Sequence, residues 1–94
     1  MKAKNRKYRI GDIDLYFRKC LTGYIAFEKL AGKSVDAIES LEDIILLVYA
    51  LTKAGMAKEK KPFDYTYEQF LELVDNYPGV IKELAEDDSE GEKK

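Results

Sequence analysis

The amino-acid sequence predicts a mainly α fold: a small helical domain of about five helices with a short N-terminal β-hairpin. Three observations predict it. Apolar residues recur at helical spacing over most of the chain from Tyr24 to Ala85. Ser40 with Asp43, and Thr66 with Gln69, stand at capping-box spacing and mark two helix starts. Ile13, Leu15 and Phe17 alternate with Asp14 and Tyr16 directly after a Gly-Asp pair, the period of a half-buried strand behind a tight turn.

The elements follow in order. Tyr8, Arg9 and Ile10 lead into Gly11-Asp12, where Gly at the first central position suits a type II′ turn. An isolated hairpin is marginal, so this one requires a helix to pack on. The first helix covers residues 19–31, with Tyr24, Phe27 and Ala31 on one face. Gly23 weakens its middle, which allows a start as late as Thr22 acting as N-cap. Gly32 stops it, and Ser34 caps a short helical turn through Val35 and Ile38. The central helix opens at Ser40, carries Leu41, Ile44, Ile45, Val48 and Leu51 on a wide apolar face, and ends at Gly55. Residues 56–65 form the main loop, a solvated connector with a charge run over Lys58, Glu59, Lys60 and Lys61, in which Pro62 blocks continued helix. Thr66 opens the fourth helix, with Phe70, Leu71, Val74 and Tyr77 at helical spacing. Pro78 ends it and starts a short amphipathic helix through Val80, Ile81, Leu84 and Ala85.

The 94 residues, 46% hydrophobic and 36% charged, suit one globular domain with one modest core. The net charge of −2 is unevenly spread. Lys2, Lys4, Arg6, Lys7 and Arg9 make the start basic, and Glu86, Asp87, Asp88, Glu90 and Glu92 make the end acidic. The expected organisation is a basic flexible arm over 1–7, a domain over 8–85 and an acidic disordered tail over 86–94. A basic arm attracts nucleic acid, but without a reading helix it is a weak footprint; a small nucleic-acid-binding regulator using this arm is the alternative reading, and nucleic acid is not the expected partner.

Function classes fall away quickly. With no histidine and only Cys20, triads using a histidine base, an intrachain disulfide and a Cys/His zinc site within one chain are excluded. Cys20 reads as a small buried or half-buried hydrophobe. Glu39, Glu42 and Asp43 serve the start of the central helix, and Glu68, Glu72 and Asp75 form the wet side of the fourth. No phosphate loop, EF-hand loop or nucleophile elbow is present. The expectation is a non-enzyme with no metal and no cofactor. The longest apolar run, 44–51, is far short of the about 20 residues of a membrane helix. No signal-peptide core follows the basic start, so a cytoplasmic location is expected.

Phe63, Tyr65, Tyr67 and Phe70 are too closely spaced to enter one small core together. Phe70 is expected in the core, while for Tyr65 and Tyr67 core and interface stay equally open.

The order of segments resembles the tail assembly chaperones of tailed phages and prophages. Ile10-Gly11-Asp12-Ile13-Asp14-Leu15-Tyr16-Phe17-Arg18 is similar to their short N-terminal hairpin. Tyr24-Ile25-Ala26-Phe27-Glu28-Lys29-Leu30-Ala31-Gly32-Lys33-Ser34 resembles their most recurrent segment, a helix ending in Phe-Glu, an apolar step, then Gly-Lys-Ser; Thr is commoner where Ala31 stands. Residues 40–54, with Tyr49-Ala50, resemble the next helix, and residues 66–74 a later one opened by Thr or Ser. Order and spacing over residues 8–85, rather than any one motif, carry the resemblance. It implies a chaperone that binds the tape-measure protein during tail assembly, with the tail-tube protein as a second partner. It also implies short and frameshift-extended forms. A partner helix laid in an apolar groove would supply the affinity. The residues assigned to partner binding are Leu47, Leu51, Tyr65, Tyr67 and Phe70, and self-association through helical faces is expected as well.

Overall fold

The computed structural model describes residues 5–84. The expected acidic tail and the first basic residues, Lys2 and Lys4, lie outside them.

Strands β1 (Asn5–Ile10) and β2 (Ile13–Arg18) form an antiparallel hairpin, with Tyr8 opposite Leu15 and Ile10 opposite Ile13. Gly11 turns the chain at φ 61°, and Asp12 has no positive φ, as a type II′ turn requires. The alternation puts Tyr8, Ile10, Leu15 and Phe17 into the core. β1 starts at Asn5, three residues before the expected domain boundary, because Asn5, Arg6 and Lys7 pair with Arg18, Phe17 and Tyr16. Residues 5–7 therefore belong to the sheet and not to an arm.

Helix α1 (Leu21–Ala31) starts after Cys20, earlier than a Thr22 cap would allow, and Cys20 is half-buried. Gly32 closes it at φ 74°, its N–H donating to the Glu28 carbonyl. The expected short helix after Ser34 contracts to a 3-10 turn, Val35–Ala37. Helix α2 (Leu41–Lys58) then runs through Gly55 instead of ending there. Its stop is a Schellman motif: Lys60 takes φ 60°, and the Lys60 and Lys61 N–H groups donate to the Ala57 and Met56 carbonyls. Helix α3 (Tyr67–Asn76) opens on a complete capping box between Thr66 and Gln69 and stops before Pro78. Helical backbone resumes at 79–84. The described residues thus hold a hairpin and four helical elements with assigned bounds, one of them the 3-10 turn, before this last stretch.

α2 is the axis of the molecule. The hairpin covers one side, α1 another and α3 a third, and Ile45, Val48, Tyr49 and Leu51 meet Phe70, Val74, Ile81 and Leu84 in the core. Two glycines set the closest approaches. A Cβ on Gly23 would meet the Leu51 side chain and lie 3.3 Å from its Cα, so the residue that weakens α1 locally is what lets α1 lie on α2. Gly55 plays the same part between α2 and the backbone of β2.

A buried hydroxyl pair also ties hairpin to helix. Tyr8 Oη and Thr52 Oγ1 lie 2.7 Å apart, and burial pushes the Tyr8 phenol well above its usual pKa, so it stays protonated. Tyr8→Phe or Thr52→Val leaves one hydroxyl stranded and should cost about 1–3 kcal/mol. The double variant removes both hydroxyls and should recover part of that loss. Urea melts of the four proteins measure the coupling, and strictly additive losses would show that the bond contributes nothing.

Candidate functional site

A large concavity among the described residues lies where α2 begins. Leu41, Ile44 and Ile45 come from the first turns of α2, Leu71 and Val74 from α3, and Pro78 and Ile81 from the chain beyond. Together they enclose a groove of about 1020 Å³. Ile45, Val74 and Ile81 are buried and make the floor. Leu41 is 66% exposed and Leu71 37%, so large apolar side chains stand open to solvent on both helices. Its other lining residues are Glu68, Glu72 and Asp75 of α3, and Lys82.

Local sequence positions both walls. Ser40 caps α2 by accepting from the Asp43 N–H at 3.2 Å. The usual capping box is shifted by one residue: the short Asp43 side chain accepts from the Glu39 N–H at 3.2 Å, not from that of Ser40. The same carboxylate oxygen receives Lys33 Nζ at 2.9 Å. Lys33 thus ties the segment after α1 to the start of α2, while Gly32 caps α1 and the Ser34 side chain makes no cap bond. The Lys33 bond, followed by the Glu39 N–H, holds the Asp43 carboxyl below the usual aspartate value of 3.8 and raises Lys33.

A pH dependence follows from that shift. A carboxyl whose pKa is depressed on folding stabilises the fold above its unfolded value and loses that contribution as pH falls through its folded value. The Tm gap between the native protein and Asp43→Asn should therefore be largest at neutral pH and close as pH falls below 3.8. Melting curves from pH 7 to about pH 2 test this, and parallel curves would refute it.

The residues assigned from sequence to partner binding are not one surface. Leu51 and Phe70 are 1% and 0% exposed and sit in the core, so the expected groove along them is not open. Leu47 is half-buried in a second concavity of about 580 Å³, with Tyr24, Val35 and Ile38. Tyr65 and Tyr67 are half-buried parts of an aromatic cluster. Of the four aromatics of 63–70, only Phe70 is buried; Phe63, Tyr65 and Tyr67 stay half-buried and pack around it in one cluster. Tyr49 gathers Phe63, Tyr67 and Phe70 with ring centroids 5.8, 5.6 and 5.4 Å away, and the Tyr65 ring is tilted against Phe63 at 5.4 Å. Tyr49 Oη donates to the Tyr65 carbonyl at 2.7 Å, pinning the connector to α2. In the sequence, Leu41 and Leu71 are only members of helix faces. Their residual exposure is set by how α2 and α3 cross, which no local pattern states.

The basic residues of β1 are turned to internal pairing. Arg9 Nε lies 2.9 Å and Lys7 Nζ 3.9 Å from the Asp14 carboxylate, and Arg6 lies 3.4 Å from Glu83. Among the described residues no helix is long and apolar enough to cross a membrane.

The chain matches no family model, no curated protein and no solved structure. The groove and the order of its elements are therefore what any functional reading rests on.

Proposed function

We propose that this chain is a non-enzymatic tail assembly chaperone that binds the phage tape-measure protein in the host cytoplasm during tail morphogenesis. The observation that carries the reading is the open groove between α2 and α3, with Leu41 and Leu71 exposed above a buried apolar floor. An amphipathic partner helix docks into such a groove through its apolar stripe. The hairpin followed by helices, an order that resembles that of tail assembly chaperones, supports the same reading. The tail-tube protein is a second candidate partner.

Co-expression with the tape-measure protein of the same phage tests the proposal. This chain should keep that protein in the soluble fraction. Equal solubility with and without it would end the reading.

Self-association belongs to the same proposal. Beyond Leu41 and its neighbours in the groove, α2 is largely covered within the fold, so the surface for self-association is α1, where Leu21 and Ile25 are exposed one turn apart. Sedimentation at several concentrations decides the point; the mass of one chain up to high micromolar concentration would remove it.

A further inference from the structure

We infer that the groove between α2 and α3 selects a basic amphipathic helix, one whose apolar stripe is flanked by Lys or Arg. The inference rests on the partner-binding reading above and names the chemistry of the partner.

The floor and the rim make different demands. Ile45, Val74 and Ile81 offer apolar surface and no polar side chain to orient a small molecule. Small-molecule sites need a few convergent polar groups, so this groove suits a side-chain stripe better. The polar lining is instead a ridge. Glu68, Glu72 and Asp75 follow one another at helical steps of four and three residues along α3, spanning about 10 Å. All three are exposed, and none takes part in an ion pair among the described residues. Lys82 is the only cation lining the groove among those residues.

That charge chooses between occupants. A second copy docking through the same face would set its own Glu68, Glu72 and Asp75 against these, and like charges across an interface oppose association. The chain's own acidic residues 86–92 carry the same sign. A separate helix with cations beside its apolar stripe meets both the floor and the ridge. Its basic residues would repeat at the same steps of three and four.

Anisotropy titrations of the full chain test this with three labelled helical peptides. All carry Leu at i, i+3, i+4 and i+7, flanked by Lys, Gln or Glu. The Lys peptide should bind tightest, roughly tenfold over the Glu peptide, and weaken as salt rises. Glu68→Lys with Glu72→Lys should reverse that order, and Leu71→Asp should abolish binding of all three. Thermal melts establish that these exposed substitutions leave the fold intact. Equal binding of the three peptides, no binding, or an order unchanged by the double reversal would overturn the inference.

The tape-measure co-expression, run with the native chain and the double variant, separates the two claims. Solubilisation by the native chain but not by the variant supports both. Equal solubilisation by the two leaves the chaperone reading standing and removes the acidic ridge from it. If the native chain fails to solubilise, the chaperone reading falls and the peptide titrations alone decide the groove.

Discussion

Replacing Gly55 with alanine is expected to destabilise the fold by about 3 kcal/mol, against the direction that helix propensity gives. In an exposed helix, alanine gains about 1 kcal/mol over glycine. Gly55 is buried, and the face of α2 that it occupies lies on β2. A Cβ there would sit 2.6 Å from the Tyr16 carbonyl carbon and 2.9 Å from the Phe17 nitrogen, and would press on the Tyr16 carbonyl oxygen. These are backbone atoms of a paired strand, which no rotamer change can move aside. The hairpin must lift from α2, and the Tyr8–Thr52 pair and the Tyr16 N–H bond to Met56 Sδ are strained with it. Gly23→Ala is the milder counterpart, because the atom it meets first is the end of the Leu51 side chain. The denaturation midpoint in urea reads both. A midpoint for Gly55→Ala equal to or above that of the native protein would show that α2 does not approach β2 this closely.

That reversal of sign marks where sequence reasoning stops. The features legible in the chain are those whose cause is local. Gly11-Asp12 specifies its own turn, Thr66 and Gln69 complete their capping box within one helical turn, and Gly32 ends α1 by its own backbone freedom. Gly23 and Gly55 look the same as Gly32 along the sequence, yet their reasons lie across the fold, in Leu51 and in β2. The mutual spacing of the 63–70 aromatics says nothing of Tyr49, the residue in another helix around which they gather. The candidate site is legible only in part for the same reason. Apolar stripes on α2 and α3 are visible in sequence, but the rotation of each helix decides which members stay exposed. It buries Leu51 and Phe70 and leaves Leu41 and Leu71 in the open.

Phe70→Ala should therefore behave as a folding variant and not as a binding variant, costing about 3–5 kcal/mol. The ring is fully enclosed, with Tyr49 at 5.4 Å and Phe63 at 6.3 Å between centroids, and Val74 follows it on the buried side of α3. Its removal leaves a cavity at the point where α3, the 62–66 connector and α2 meet, so the loss includes contacts that none of them can restore alone. A domain with a total stability of about 5–15 kcal/mol then has little margin left. Leu71, the next residue along, gives the opposite result. It is partly exposed at the mouth of the groove, so Leu71→Ser should change stability by only about 0.5 kcal/mol while weakening capture of an apolar helix. Thermal melts and peptide titrations on the two variants separate the roles of these neighbours. A Phe70→Ala protein that melts like the native chain yet no longer binds would place Phe70 on the surface, against both its sequence expectation and its burial. A Leu71→Ser protein that binds normally would remove the groove from the partner interface.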